Sequence, residues 1–404
     1  MPPEPPMVNE RAAAADPDEM SAGTAPTAVG ESGELGSIAP ARAAPWIPTT
    51  ALLAYVACRM ATVGAVAIAD LSTHNSIIFD LTRWDGVWFL RAVRSGYPSH
   101  LPMAHGHVLA NPVAFFPLFQ LLVRAGTAIG LDAGVAALLL SAVTGLGAVW
   151  AVGLLARRLA GDRAASRAAL LFAVFPGTFA FSFPYSEGIV ITCVAFGLAA
   201  LLDRRWWLAG LLGAVATASS PVAMAFVVSC AWSAGMAVRR DRNFGALVAP
   251  FLAPLGFVTY MVYLWRHTGE LMAWRLTERG GWHSYPSLAY PFQIAWKFVS
   301  NPVGPTLTGQ ILVAGSVAAV IGVVLMLKEH QPAPVFLYGL CAAGAAAISL
   351  PVGLRPRFLM LAFPMVMAAG TRYTGWTHRA LVGVSLVLLA LMTVLEAGSQ
   401  SVFP

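Results

Sequence analysis

The stretch Arg83-Trp84-Asp85-Gly86-Val87-Trp88-Phe89, continuing to Gly96-Tyr97, puts one carboxylate among indole rings directly after an apolar run. A carboxylate within hydrogen-bond reach of a hydroxyl can take its proton as a general base. The same Asp85 could instead cap a helix or pair with Arg83, and Asp80 and Asp70 are rival acids nearby. In a helix, Trp84, Trp88 and Arg91 would share one face, with Asp85, Phe89 and Ala92 on the adjacent one. Indole rings favour the membrane–water interface, so such a helix would lie on the membrane surface and hold Asp85 at headgroup depth.

A second acid follows in "FPGTFAFSFPYSEGI", Phe175 to Ile189. Pro184 after an apolar run, then Tyr185-Ser186-Glu187-Gly188, reads as a helix end and a tight restart. Ser186 and Glu187 suit a helix N-terminus. Glu187 could equally orient a sugar hydroxyl or steady an arginine. The third constellation is "LRPRFLMLAFP", in which Arg355 and Arg357 precede an apolar run. Their planar forks match phosphate oxygens. "ATASSPVAMAF", Ala216 to Phe226, reads as a kinked hairpin.

The elements that must position these groups are membrane helices. The chain has 404 residues, 58% hydrophobic and only 11% charged, against about 25% charged in a soluble domain. A net charge of +6 fits basic loops beside a membrane better than nucleic-acid binding. Four isolated cysteines, in no CxxC or Cys/His cluster, predict neither a disulfide nor a zinc site. No metal or other cofactor is expected, and the absence of GxxxxGK[ST] removes an ATP-driven P-loop.

Apolar runs at 49–69, 113–130, 133–155, 169–183, 188–202, 206–219, 221–238, 245–265, 309–327, 333–350, 358–370 and 380–396 predict eleven or twelve spans. The 113–130 run is a candidate for an interfacial or re-entrant segment. Residues 1–48, rich in Pro, Ala, Gly and acids, read as a disordered cytoplasmic tail. Residues 49–398 read as the membrane domain, with external loops at 70–112 and 266–308. The Lys/Arg-rich loops 156–167, 203–205, 239–242, 328–330 and 371–379 read as cytoplasmic. That assignment sends Asp85, Glu187, Arg355 and Arg357 to the far side. Far-side arginines suit either anionic lipid headgroups or a phosphate-bearing substrate.

In order and spacing, "RWDGVWFLRAVRSGY", "NPVAFFPLF" (111–119) and "FAFSFPYSE" (179–187) resemble the PIG-V-type mannosyltransferases, multi-span enzymes of the GT-C class. The resemblance implies an all-α, GT-C-like helical membrane bundle with an amphipathic interfacial helix in the first external loop. It implies transfer of a mannosyl or other hexosyl unit from a polyprenyl-phosphate sugar to a glycolipid or envelope glycan acceptor. The reaction would take place on the extracytoplasmic face of the plasma membrane, with inversion and without a nucleotide sugar. The first-loop acid of the class maps onto Asp85. Glu187 is then a second site acid, and Arg83, Trp84, Trp88, Tyr97, Tyr185, Arg355 and Arg357 are candidate substrate contacts. Ser219-Ser220-Pro221 departs from the family pattern, where an Arg or Asn is expected nearby. Two other classes remain: a polytopic transporter or lipid flippase, which would need charged residues deep within spans, and a non-catalytic partner subunit of an envelope complex.

Overall fold

The computed structural model describes residues 46–73, 76–301 and 306–398, with the side chains of 69–73, 397 and 398 left aside. The expected tail therefore lies almost wholly outside the described residues, as does the side chain of Asp70. The unit that begins at Trp46 is an α-helical membrane bundle. Its strands are four two-residue pieces forming two short antiparallel pairs.

Among the described residues, five helices are long and apolar enough to span: Thr49–Ile68, Ala133–Ala173, Pro221–Asp241, Leu307–Lys328 and Gly375–Glu396. Counting two bent pairs as one crossing each gives seven, fewer than the hydropathy runs suggest. Three local features account for most of the difference. Runs 133–155 and 169–183 fall in one helical segment, but Gly161 turns it with φ +78°. A Cβ on Gly153 would sit 3.2 Å from the Ala169 Cβ. Sixteen residues of straight helix would separate those two by about 24 Å, so the segment folds back on itself as a hairpin. Trp206–Thr217 and Ala333–Ile348 are apolar but have only 12 and 16 residues. Pro117–Ala128 has 12 residues, again short of a crossing.

One bent pair, Pro176–Ser182 with Glu187–Leu202, turns by 117°. Irregular backbone at membrane depth survives only where protein encloses it. Here Arg59, halfway along the first span, donates through Nη1 to the Thr178 carbonyl and lies over the Tyr55 ring. The Tyr55 hydroxyl in turn donates to the Ala142 carbonyl. Arg59 is a charge deep in a span, a type of residue the hydropathy profile did not single out, and it ties the break to the first helix.

The two ends of the bundle are distinct. Along Glu187–Leu202, 16 residues carry the chain about 24 Å from Glu187 to Asp203. Around Asp203 gather the basic loops: Arg158 pairs with Asp203, Arg204 with Asp241, and Arg372 with Glu329. Arg167 donates to the Thr371 carbonyl at 2.9 Å. The five loops grouped by their basic residues in the sequence are thus tied to one another, apart from the end that holds Glu187.

Candidate functional site

At that other end, the three constellations converge. Arg357 is 6% exposed. Its Nη1 meets Asp85 Oδ2 at 2.6 Å and its Nε meets Glu187 Oε1 at 2.5 Å. The guanidinium carbon stands 3.8 Å from the centre of the Tyr185 ring. Each partner is fixed by its own element. Asp85 is the first residue of helix Asp85–Ser95, for which Trp84 is the cap. Glu187 opens its helix, and Ser186 makes no side-chain cap there. Neither acid is spent on its helix end, and Arg83 reaches Asp80 at 3.9 Å. Tyr185 is pinned by Ser141, whose hydroxyl accepts the Tyr185 N–H and donates to its carbonyl, both at 3.0 Å.

Two glycines make the convergence possible. A Cβ on Gly86 would lie 2.5 Å from Pro184 Cγ, and one on Gly177 would strike the Pro356 carbonyl. Such distances exclude any side chain without backbone movement. The first motif thus packs on the second, and the second on the third, through positions that only glycine fills.

The two acids differ in access. The side chain of Asp85 is 25% exposed and that of Glu187 only 6%. Solvent or a substrate reaches Asp85; Glu187 backs it from below. Arg355 lies within electrostatic reach of Tyr290, Arg357, Asp85 and Glu396, and burial pushes its guanidinium down from the ordinary arginine value. Trp84 adopts φ +56°, a left-handed backbone unusual for so large a residue. Its indole N–H donates to the Glu396 carbonyl at 3.0 Å.

The other candidates take up flanking positions. Trp88 packs edge-to-face on Trp282 at 5.2 Å, with Arg91 5.4 Å from its ring. Tyr97 donates to the Phe115 carbonyl at 2.7 Å and packs against Tyr260 and Tyr263. It therefore joins an aromatic cluster beside the site, and none of its hydrogen bonds reaches the acids. Asn111, from the "NPVAFFPLF" motif, caps its own turn through Val113 N–H at 3.0 Å and donates to Thr277 Oγ1 at 3.2 Å. That bond fastens the 70–112 loop to helix Ala273–Gly281.

Two carboxylates escaped the sequence reading. Glu278 sits on Ala273–Gly281; burial raises its carboxyl to about 7, and the negative charge of Asp85 adds to the rise while Ser284 opposes it. Glu396, near the end of the last helix, is 4% exposed and accepts the Tyr185 hydroxyl at 2.8 Å. Its position at the end of an apolar run resembled an ordinary span terminus. Among the described residues, no three His, Cys, Asp or Glu side chains gather as a metal site.

Fold and site together define a polytopic α-helical membrane protein with a buried acid–arginine–acid bridge at one end. No protein-family model and no curated protein matches the chain. Among solved structures it is similar to ArnT from Cupriavidus metallidurans bound to undecaprenyl phosphate, at 17% identity and TM-score 0.44, over 75% of this chain and 57% of that one. It is also similar to the Archaeoglobus fulgidus oligosaccharyltransferase in its apo form, at 15% identity and TM-score 0.42, over 87% and 56%. The oligosaccharyltransferase AglB of the same organism, in complex with an inhibitory peptide and a dolichol-phosphate, aligns at 16% identity and TM-score 0.38, over 80% and 51%. The chain thus spans about half the length of these proteins.

Proposed function

We propose that this protein is a membrane glycosyltransferase of the GT-C class. It moves a hexosyl unit, mannose by the motif resemblance, from a polyprenyl-phosphate sugar to a glycolipid or envelope glycan acceptor on the extracytoplasmic face of the plasma membrane. The observation that carries this reading is the meeting of Asp85 and Glu187, from two separate motifs, on the single guanidinium of Arg357.

The chemistry follows from that arrangement. A polyprenyl-phosphate sugar presents its anomeric carbon at headgroup depth, one phosphate from the anchor. Asp85, the more accessible acid, takes the proton of the acceptor hydroxyl as that oxygen bonds to the anomeric carbon. The bond from that carbon to the phosphate oxygen breaks, and its electron pair leaves with the polyprenyl phosphate. Charge grows on the phosphate through the transition state, so cations already in place stabilise it more than the ground state. Two of the donors of Arg357 are committed to the acids, which makes it the residue that aims them. The leaving phosphate falls to Arg355, with Arg83 at the rim. Trp84 and Trp88 offer ring faces to the sugar and the first isoprene units; Tyr185 supports Arg357 from beneath, and Tyr97 shapes the flank.

A positioned base that accepts the proton in the transition state contributes about 10²- to 10⁴-fold. Asp85→Asn is therefore expected to insert and fold normally while losing transfer from labelled polyprenyl-phosphate mannose by at least about 10²-fold. Turnover close to that of the unaltered protein removes Asp85 from the role. Uptake of the labelled lipid into proteoliposomes without a new glycosidic bond would replace the reading with transport.

A further inference from the structure

The last helix, Gly375–Gly398, reaches the site through one residue. The Glu396 carboxylate accepts the Tyr185 hydroxyl at 2.8 Å, and its backbone carbonyl accepts the Trp84 indole at 3.0 Å. Tyr185 in turn carries Arg357 on its ring face, 3.8 Å away. One residue near the end of the helix thus holds a member of the first motif and a member of the second, and through Tyr185 it supports the arginine of the third.

We propose that Glu396 is a positioning residue of the transfer site, setting the Tyr185 ring beneath Arg357 and the Trp84 indole beside Asp85. The proposal rests on the glycosyl-transfer reading and deepens it. Three facts favour it over the role of an incidental span terminus. Glu396 is 4% exposed, whereas a carboxylate that merely ends a span stays in water, because burying one is costly without partners. Its two hydrogen bonds go to Trp84, next to Asp85, and to Tyr185, two residues before Glu187, the two acids that Arg357 bridges. Finally, Trp84 holds a left-handed backbone, φ +56°. Such a conformation persists only where its surroundings enforce it, and the bond to Glu396 is one enforcing contact. A shift of about 1 Å at such a site is enough to cost roughly 10²-fold in rate.

The test uses the full chain in detergent or proteoliposomes, with polyprenyl-phosphate mannose as donor and kcat and KM measured per folded molecule. Glu396→Leu is expected to lower kcat about 10- to 10²-fold through misplacement, with the smaller change in donor KM. Glu396→Gln keeps an oxygen able to accept the tyrosine hydroxyl and is expected to recover most of that loss. Tyr185→Phe should match Glu396→Leu. The double variant should be no worse than either single one, since both remove the same interaction. Unaltered kcat in Glu396→Leu, equal damage in the Gln and Leu variants, or additive losses would each overturn the proposal. If Glu396→Leu fails to fold, Glu396→Gln and Tyr185→Phe still decide it: kcat close to normal for Tyr185→Phe, or a Gln variant as impaired as Tyr185→Phe, overturns it. The unaltered protein in the same reaction separates the two levels. If it transfers no sugar, the functional reading fails; if it does and the variants behave otherwise than stated, only the role of Glu396 fails.

Discussion

The basic-loop end and the acid end of the bundle both carry ion pairs, and they use them in opposite ways. At the basic end, Arg158–Asp203, Arg204–Asp241 and Arg372–Glu329 have side chains 24–57% exposed. Water screens such pairs, and each is worth at most about 1 kcal/mol. At the acid end, the side chains of Arg357 and Glu187 are 7% and 6% exposed, with that of Asp85 at 25%. Taking those charges out of water costs several kcal/mol per ion, and well-packed apolar residues would often serve stability as well or better. Two acids, one arginine and strained Trp84 together are a poor way to hold helices and a good way to hold a proton acceptor. On the proposed reading, the cationic loops serve topology, whereas the buried bridge serves chemistry.

The sharpest way to break that contrast is Arg357→Met. It leaves two acids without their cation and is expected to cost about 3–5 kcal/mol of stability, together with all measurable transfer. Arg357→Lys should restore stability only in part and transfer hardly at all, since a point charge cannot address two carboxylates from a planar fork. Thermal unfolding and transfer assays on the same preparations check both. A variant with normal transfer would place Arg357 among the merely structural pairs.

A smaller effect is expected at Glu278, whose carboxyl is held at about 7, above the ordinary value of about 4.3. Between those two values the folded protein keeps a proton that the unfolded chain has lost. Stability therefore falls as pH rises through this window, and the contribution present at low pH is gone above about 7. Glu278→Gln removes that slope, so its unfolding temperature should vary less between pH 5 and 8 than that of the unaltered protein. Identical slopes would show that Glu278 does not titrate in this window.

The smallest effect belongs to the basic end. Arg372→Ala should change stability by less than about 1 kcal/mol and leave transfer unaltered, as read by unfolding temperature and turnover. A loss of transfer there would erase the distinction between the two ends.

Much of this organisation was legible in the chain itself. Asp85 and Glu187 stood out because a carboxylate is rare beside apolar runs, and Arg355 and Arg357 because the loop charges assign them to the far side, where arginines oppose the usual bias. The grouping of the basic loops followed from charge alone, and the structure links those same loops. Glu396 and Glu278 were hidden for a physical reason. Nothing local separates a carboxylate that ends a span in water from one that folds inward to meet a partner from a distant segment. Arg59 was masked likewise, because its carbonyl partner at Thr178 exists only once the broken span is packed against the first helix.

The sequence by itself determined an all-helical membrane chain, the acids and arginines available to it, and the glycines at 86 and 177 where close approach was required. Those properties are local: hydropathy, charge and the absence of a Cβ act on each segment wherever it sits. Tertiary structure alone decided that Arg357 would clasp both acids, that Asp85 would be the reachable one, and that the final helix would supply Glu396. Distances between segments hundreds of residues apart depend on helix packing as a whole, and no single stretch of the chain encodes them.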